Sequence, residues 1–249
     1  MSLPNNISPP TPEEVAAASG ISRQAGKDWQ SYEQRSARIG ATIGDKLSAY
    51  FAPPFAGLRV LDWGSALGGV AIWLANRYEM EMHAADVDPH SMAWLEKQSV
   101  GVRAWNLMPQ KPFPFEDDYF SAIYGVSVFT HIPPEWVEFY LEELRRVAKP
   151  GGLVMMTFTG YYKVENDKTK RANDQLRPKS IEEVREAGVF YRSYPQENQS
   201  KMDFTKHGDY GLAAHSDEYI QETFGKYFEI VSIDEGAIAF QNIVAMKKR

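Results

Sequence analysis

Residues 60–69, Val-Leu-Asp-Trp-Gly-Ser-Ala-Leu-Gly-Gly, decide the fold. The apolar run before Asp62 indicates a buried strand, and the apolar, helix-forming residues 70–75 behind the glycines indicate a helix. A helix that starts here points its free N–H groups toward whatever lies over the strand end. Glycine suits this place because a side chain would hinder the turn or a ligand. The stretch predicts a ligand-binding βα turn, although an ordinary turn in any doubly wound sheet would have the same pattern.

Composition narrows the possible function classes. The chain has 249 residues, 43% of them apolar, and a formal net charge of −6 without a long basic run, which makes nucleic acid an unexpected partner. Since it has no cysteine, disulfides, thiolate zinc sites and a cysteine nucleophile are excluded. Its five histidines are scattered, so no metal site is predicted. With neither a signal-peptide pattern nor an apolar span of 18 residues, a cytoplasmic protein without a membrane partner is expected.

Strands and helices alternate around this turn. The patterns predict strands over residues 59–61, 79–85, 102–105, 119–127 and 153–158, with helices over 70–75, 91–97 and 135–148 between them. Helices over 12–20 and 29–51 come first, and the second carries Arg35 and Arg38, which could meet a carboxylate. Residues 228–233 and 237–246 are predicted to form a closing antiparallel pair. The order of elements is typical of a doubly wound α/β sheet.

Acidic residues follow the second predicted strand. Asp86 lies one helix and one strand after Asp62, which is the span of a βαβ unit. A carboxylate at this strand tip is the expected partner of a ribose diol, because it can accept both hydroxyl protons. Alternatively, the sequence Asp88-Pro89 simply caps the next helix. Both interpretations can hold together, with Asp86 for the ribose and Asp88 for the cap.

Four motifs in order resemble one enzyme family. Residues 60–69, 85–87, 114–132 and 144–152 are similar to motifs of class I S-adenosylmethionine-dependent methyltransferases of the small-molecule branch. The resemblance covers residues 56–159 and, more weakly, 210–247. It implies a Rossmann-like seven-stranded sheet, six strands parallel and the last antiparallel, in a single domain over 1–249. Within this domain, 1–55 would be a helical cap, 56–159 and 216–249 the core, and 160–215 a substrate lid inserted after the fifth strand.

The resemblance also implies a set of cofactor contacts. Gly64, Ser65 and Ala66 would lie against the methionine and ribose of S-adenosylmethionine, with Ala66 in the place of a frequent glycine. The carboxylate of Asp62 would hold the turn or the amino group of the cofactor. The remaining predicted cofactor residues are Asp86 at the ribose hydroxyls, Asn106 and Leu107 beside the adenine, Val126 and Ser127 on the methionine side, and Gly68 and Val87.

His131 is the candidate catalytic residue. It follows the fourth strand, at the sheet edge where a ligand is expected, and a general base helps a hydroxyl or amine acceptor. Alternatively, it caps the next helix or packs over the cofactor. The predicted function is methyl transfer to an oxygen or nitrogen atom of a small molecule. Two alternatives remain: a relative that binds the cofactor without methyl transfer, and a nicotinamide-binding enzyme, whose glycine spacing is absent here.

The segment after the fifth strand is expected to cover the acceptor. It is far longer than an ordinary connection, and it joins a charged stretch, 163–179, to an aromatic one. Residues 189–194 and 210–214 are predicted to pair as short strands. Candidate acceptor contacts in this segment are Tyr161, Tyr162, Tyr191, His207, Asp209 and Tyr210. The alternative is a floppy insertion that contacts nothing.

Overall fold

A computed structural model describes residues 3–4, 7–17, 25–98, 100–166, 176–199 and 209–249. The strands are β1 Arg59–Trp63, β2 Glu81–Asp86, β3 Val102–Asn106, β4 Phe120–Gly125, β5 Ala148–Phe158, β6 Val189–Ser193, β7 Gly211–His215, β8 Glu229–Ile238 and β9 Gln241–Lys247. The helices are α1 Pro12–Ala17, α2 Trp29–Ser48, α3 Gly69–Ala75, α4 Pro89–Lys97, α5 Pro134–Val147, α6 Tyr161–Asn166, α7 Ile181–Ala187, α8 Gln196–Gln199 and α9 Asp217–Tyr219, which continues as a π-helical turn, Ile220–Phe224.

Seven strands form one sheet in the order β3-β2-β1-β4-β5-β9-β8. The strands β1 to β5 are parallel, and β9 is antiparallel to both β5 and β8, so six strands point the same way. This confirms the predicted Rossmann-like sheet with an antiparallel last strand. The remaining strands, β6 and β7, pair as the predicted antiparallel ribbon. The carboxyl ends of β1, β2, β4 and β5 therefore meet at one edge, where open α/β sheets bind ligands.

The sheet is buried on both faces by alternating side chains. In β1, Val60 packs in a cluster with residues of α2, α3 and α4, whereas its neighbour Leu61 packs in the opposite cluster with α5. All six residues of β4 are buried, as in a central parallel strand. The helix α4 begins where Asp88 caps it, since Oδ1 of Asp88 accepts a bond from His90 N at 3.0 Å. This confirms that Asp88 caps the helix, which is one of the two roles predicted for Asp86 and Asp88.

Several predicted boundaries are wrong; β5, for example, begins at Ala148 and not at residue 153. The helix α2 ends at Ser48 and not at residue 51, because a turn leads from it into Pro53-Pro54, which cannot continue a helix. In the closing hairpin, β8 runs on to Ile238, so residues 237 and 238 belong to β8 and not to the last strand. The two residues between the strands, Ala239 and Phe240, have φ of 48° and 65°. Such a turn usually contains Asn or Gly, so Ala-Phe gives no sequence signal for it.

The amino edge of the sheet is closed by an ionic network. The guanidinium of Arg146 donates to the carbonyls of Phe113 and Phe115 at 3.0 and 2.7 Å and pairs with Glu143 at 2.8 Å. The same carboxylate accepts a second bond from Arg146, from Nε at 2.9 Å, and one from Phe113 N at 2.6 Å. Burial alone raises the pKa of Glu143, but Arg146 and the Phe113 N–H outweigh it and hold this pKa below its ordinary value. The side chains of both phenylalanines are buried in the core.

Replacing Arg146 by Met is expected to lower the free energy of unfolding by roughly 1.5–3 kcal/mol, the usual value of hydrogen bonds to a charged group. The loss arises because the buried Glu143 carboxylate keeps its charge without its cation. Urea unfolding of the variant measures the change. The matched control is Arg145→Met on the same helix, where the side chain is exposed. Equal destabilisation by both variants would contradict the role of the network.

None of the described helices combines the length and the apolar character needed to cross a membrane.

Candidate functional site

A cavity of about 1030 Å³ opens at the carboxyl edge of the sheet. Its walls include the glycine turn (residues 64–69), α2, the end of β4, residues within 159–164, 176–190 and 212–213, and the hairpin between β8 and β9. Only the glycine turn and the end of β4 were predicted as cofactor-binding parts. The cavity is therefore built largely by segments distant in sequence from the motif.

The backbone of the glycine turn is held in an unusual conformation. Gly64 has a φ of 75°, and a Cβ at this position would collide with the side chain of Val128. The N–H groups of Gly64 and Ser65 both donate to the carbonyl of Ala85, at 2.8 and 3.2 Å. The hydroxyl of Ser65, which lines the cavity, is buried and has no hydrogen-bond partner among the described residues. A ligand in the cavity could supply that partner.

Asp62 is a buried carboxyl group in the cavity wall. It is 3% exposed and lies in β1, just before the turn. Burial raises its pKa to about 7, and the charge of Asp86 adds to the rise, whereas the hydroxyl of Tyr124 and the N–H of Ala71 lower it. The group is thus close to half ionised at neutral pH. A cation that entered the cavity would favour the carboxylate form.

Helix α2 closes the cavity on the side of the turn. The N–H of Gly69, the first residue of α3, donates to the hydroxyl of Tyr32 at 2.9 Å. The next turns of α2 add Arg35, Ser36 and Ile39 to the lining. The predicted helical cap thus includes a wall of the site.

Ser127, at the end of β4, has a strained backbone and is held by several hydrogen bonds. Ser127 has a φ of 62°, which a residue with a side chain seldom adopts, and such strain is concentrated at functional sites. Its N–H donates to Oγ1 of Thr157 at 2.7 Å, and its hydroxyl lies 2.7 Å from Nε2 of Gln241. The same Gln241 accepts from Thr157 through Oε1 at 2.6 Å. These bonds join β4, β5 and β9 and fix the floor of the cavity.

His131 is oriented by the ribbon. Its Nδ1 lies 2.7 Å from the carbonyl oxygen of Gly211, and because a carbonyl can only accept, Nδ1 carries the proton. In the neutral ring Nε2 then has the lone pair, the form that a general base needs. The ring of Tyr210 stacks on the imidazole with centroids 4.7 Å apart. A further bond, from Ala213 N to the carbonyl of Thr130 at 2.8 Å, ties the same turn to β7.

The cavity gathers seven of the twelve predicted site residues. They are Asp62, Gly64, Ser65, Ala66, Val126, Ser127 and His131. The five that do not line it are Gly68, Asp86, Val87, Asn106 and Leu107. Gly68 has a packing role instead: it caps α3 with a φ of 70°, and a Cβ on it would lie 2.7 Å from Leu95.

The ends of β2 and β3 adjoin the cavity without lining it. The carboxylate of Asp86 accepts from Ala66 N at 2.7 Å through Oδ2 and from Asp88 N at 2.9 Å through Oδ1. Burial raises the pKa of Asp86 to about 6, although both of these bonds oppose the rise. The carbonyl of Asp86 accepts from the side chain of Asn106 and from Leu107 N, at 3.1 and 2.8 Å. Asp86 therefore supports the turn in addition to any contact with a ligand.

The five predicted acceptor contacts that the structure describes do not line the cavity. Tyr161 donates to Glu218, and Tyr191 donates to Asp209, which also accepts from Ser193. Tyr162 and Tyr210 are likewise absent from the lining, and His207 lies outside the described residues. The segment instead contributes Thr159, Lys163, Val164, Leu176, Arg177, Pro178, Lys179, Phe190, Leu212 and Ala213. The charged stretch 163–179 was recognised in the sequence, but tertiary packing decides which of its side chains point into the cavity. Residues 167–175 of this stretch lie outside the described ranges.

Comparisons with known proteins identify the family. Residues 60–152 match the family model described as a methyltransferase domain. An uncharacterized methyltransferase from Mycobacterium leprae is 35% identical over 138 residues, which are 51% of this chain and 47% of that protein. This chain carries a class I S-adenosylmethionine-dependent methyltransferase domain. The match to the cyclopropane-fatty-acyl-phospholipid synthase of Escherichia coli is 25% identical over 109 residues, 44% of this chain and 28% of that one.

The fold of the methyltransferase domain also recurs in solved structures. An S-adenosylmethionine-dependent methyltransferase from Mesorhizobium loti superimposes with a TM-score of 0.57 at 14% identity, over 85% of this chain and 100% of that chain. That identity shows the shared fold alone. The chain spans about half the length, or less, of the two relatives named above, so what those whole proteins do is not carried over from them.

The residues of the cavity fit S-adenosylmethionine, the cofactor of this family. Its amino group and sulfonium are cationic, and Asp62 offers a buried carboxylate beside the glycine turn. Its polar groups also need donors and acceptors, and the buried Ser65 hydroxyl lacks a partner among the described residues. In the described ranges, no three His, Asp or Glu side chains lie together as a metal site would require.

Proposed function

We propose that the methyltransferase domain transfers a methyl group from S-adenosylmethionine to an oxygen or nitrogen atom of a small-molecule acceptor. The observation that carries the proposal is one continuous cavity that reaches from Ser65 in the glycine turn, past His131, to Phe190 in the ribbon. Its volume of about 1030 Å³ is at the upper end of the ~300–1,000 Å³ typical of small-molecule pockets. There is room for an acceptor beside the cofactor.

The cofactor side is proposed to hold the reactants in place. When bound, S-adenosylmethionine supplies a methyl group on a sulfonium sulfur that is already a good leaving group, so alignment is the main task of the protein. Asp62 would bind the amino group, with Gly64, Ser65 and Ala66 along the methionine and ribose. Val126 and Ser127 would line the methionine side. Asn106 and Leu107 would flank the adenine, with Gly68 and Val87 as neighbours of the ribose side.

Asp86 is proposed to bind the ribose hydroxyls. Each of its carboxylate oxygens accepts one backbone N–H in the structure and has a second lone pair for a hydroxyl. Substitution of Asp86 by Ala is expected to weaken binding of S-adenosylhomocysteine, the demethylated product, by roughly 1.5–3 kcal/mol, because bonds to a charged group have this value. Isothermal titration measures the change.

A comparison of two ligands distinguishes the proposed bonds between Asp86 and the ribose hydroxyls from the support that Asp86 gives to the glycine turn. Wild-type protein should bind S-adenosylhomocysteine more tightly than its 2′-deoxy analogue, and Asp86→Ala should bind both alike. If the variant discriminates between the two ligands as well as the wild type does, Asp86 does not contact the ribose.

His131 would act on the acceptor as a base or as a positioning group. The bond from Nδ1 to the Gly211 carbonyl leaves the lone pair on Nε2, where a hydroxyl or amine proton could be accepted. Detection of S-adenosylhomocysteine by mass spectrometry, with a panel of hydroxyl and amine acceptors, tests the transfer. Tight binding of the product without turnover of any acceptor would favour the alternative, a protein that binds the cofactor without transferring its methyl group.

A further inference from the structure

The cavity wall is basic, in contrast to the molecule as a whole. Its charged lining residues are Arg35, Lys163, Arg177 and Lys179, and Asp62 is the one carboxylate among the described residues that line it. The whole chain has 33 acidic and 27 basic residues, so a random patch would be acidic. This excess of positive charge in the cavity wall attracts anions.

The four cations lie on two different sides. Arg35 is on α2, its guanidinium 5.9 Å from the ring of Tyr32, which bonds to the start of α3. It thus belongs to the cofactor side. The other three come from the chain that follows β5: Lys163 is in α6, and Arg177 and Lys179 lie just before α7. Lys163 and Arg177 are half-buried, so water and salt screen them less than a surface charge.

An apolar wall adjoins these three cations. Leu176 and Phe190 are each 7% exposed and line the cavity next to Val164. Phe190 packs with Val184 and Ala214, and Val164 of α6 rests against the same cluster. This small core fixes α6, α7 and the ribbon relative to one another. The strained hairpin adds Phe240 to the lining, a residue that is 45% exposed although it is apolar.

We infer that the acceptor is an apolar molecule with one anionic group, a carboxylate or a phosphate. Lys163, Arg177 and Lys179 bind the anion, and Leu176, Phe190 and Phe240 contact the apolar part. A guanidinium suits this role because it donates two parallel bonds to a carboxylate or phosphate. The inference deepens the proposed function, since it rests on the acceptor entering this cavity.

Binding of simple amphiphiles tests the inference without any turnover. With S-adenosylhomocysteine at saturation, we expect wild-type protein to bind decanoate or decyl phosphate at least tenfold more tightly than decanol in calorimetric titration. Whichever of the two anions binds more tightly shows whether the site prefers a carboxylate or a phosphate. The double variant Lys163→Gln/Arg177→Gln should lose about tenfold or more in affinity for the preferred anion and leave decanol binding unchanged.

A matched control removes a cation elsewhere. The side chain of Arg145 is exposed on α5, next to the start of β5 and at the opposite edge of the sheet. The variant Arg145→Gln should therefore bind the anion as tightly as the wild type does. Three results would overturn the inference: decanol binding as tightly as both anions, an unchanged double variant, or a double variant that loses affinity for S-adenosylhomocysteine instead. The last result would assign these cations to the cofactor. Absence of methyl transfer, by contrast, would affect the proposed function and leave these titrations unchanged.

Discussion

Replacing Asp62 by Asn is expected to raise the free energy of unfolding of the cofactor-free protein at pH 8 by up to about 4 kcal/mol. The pKa of this carboxyl is raised from its ordinary value of 3.8 to about 7 because it is buried. At ~1.36 kcal/mol per pKa unit, this rise in pKa means that charging Asp62 in the folded state opposes folding by about 4 kcal/mol. Asparagine has a similar shape and no charge, so it avoids this cost.

The pH dependence gives the sign of the effect. Between pH 4 and pH 7 the unfolded chain has lost the Asp62 proton and the folded protein retains it, so the wild type loses stability as the pH rises through this range. Urea unfolding at pH 5 and pH 8 should therefore show a gap between variant and wild type that widens with pH. Asp45→Asn, the same change at an exposed position of α2, is the control. A gap of equal size at both pH values would contradict the prediction.

The same substitution should weaken cofactor binding, because the proposed partner of the amino group loses its charge. For the wild type, affinity for S-adenosylhomocysteine is expected to fall as the pH drops below about 7, where Asp62 takes up a proton. Titrations in buffers of different ionisation enthalpy should show proton release on binding near pH 7. The Asn variant should lack that release. Asp62 would thus lower the stability of the cofactor-free protein and strengthen cofactor binding, a common compromise between stability and function.

Local patterns were sufficient to predict the core of the fold. The turn at residues 64–69, the Asp88 cap and the pairing of β6 with β7 depend on neighbours in the chain or on a short hairpin-like pattern. The number of strands in the sheet and their directions, six parallel and the last antiparallel, followed from the resemblance to the family. The failure at Ala239 and Phe240 has a physical cause: both residues adopt a positive φ that their side chains disfavour, so the residue types do not indicate the turn.

The candidate site was predicted less completely, since half of it is formed by long-range packing. Tyr32 and Ser36 reach the turn from a helix that begins about 40 residues before Gly69. Lys163 and Arg177 line the cavity because α6 rests on the cluster around Phe190, a contact that no periodicity reveals. Gly68 belongs to the motif and stays a predicted cofactor residue, but its φ and its closeness to Leu95 also give it a structural reason that needs no ligand.

Replacing His131 by Asn is expected to lower kcat by roughly 10²–10⁴-fold, the range of general-base catalysis, with little change in affinity for S-adenosylhomocysteine. The amide of Asn can still donate to the Gly211 carbonyl in place of Nδ1, so the ribbon remains held, but the lone pair of Nε2 is lost. Tyr210→Phe is the matched control, because it preserves the stacked ring and leaves the imidazole intact. Once an acceptor is known, kcat across pH 5–9 should show an ionisation in wild type and Tyr210→Phe that is absent from His131→Asn, and added imidazole should restore part of the activity. If the Asn variant binds the product weakly and turns over normally at saturation, His131 is a wall of the cofactor pocket and takes no part in proton transfer.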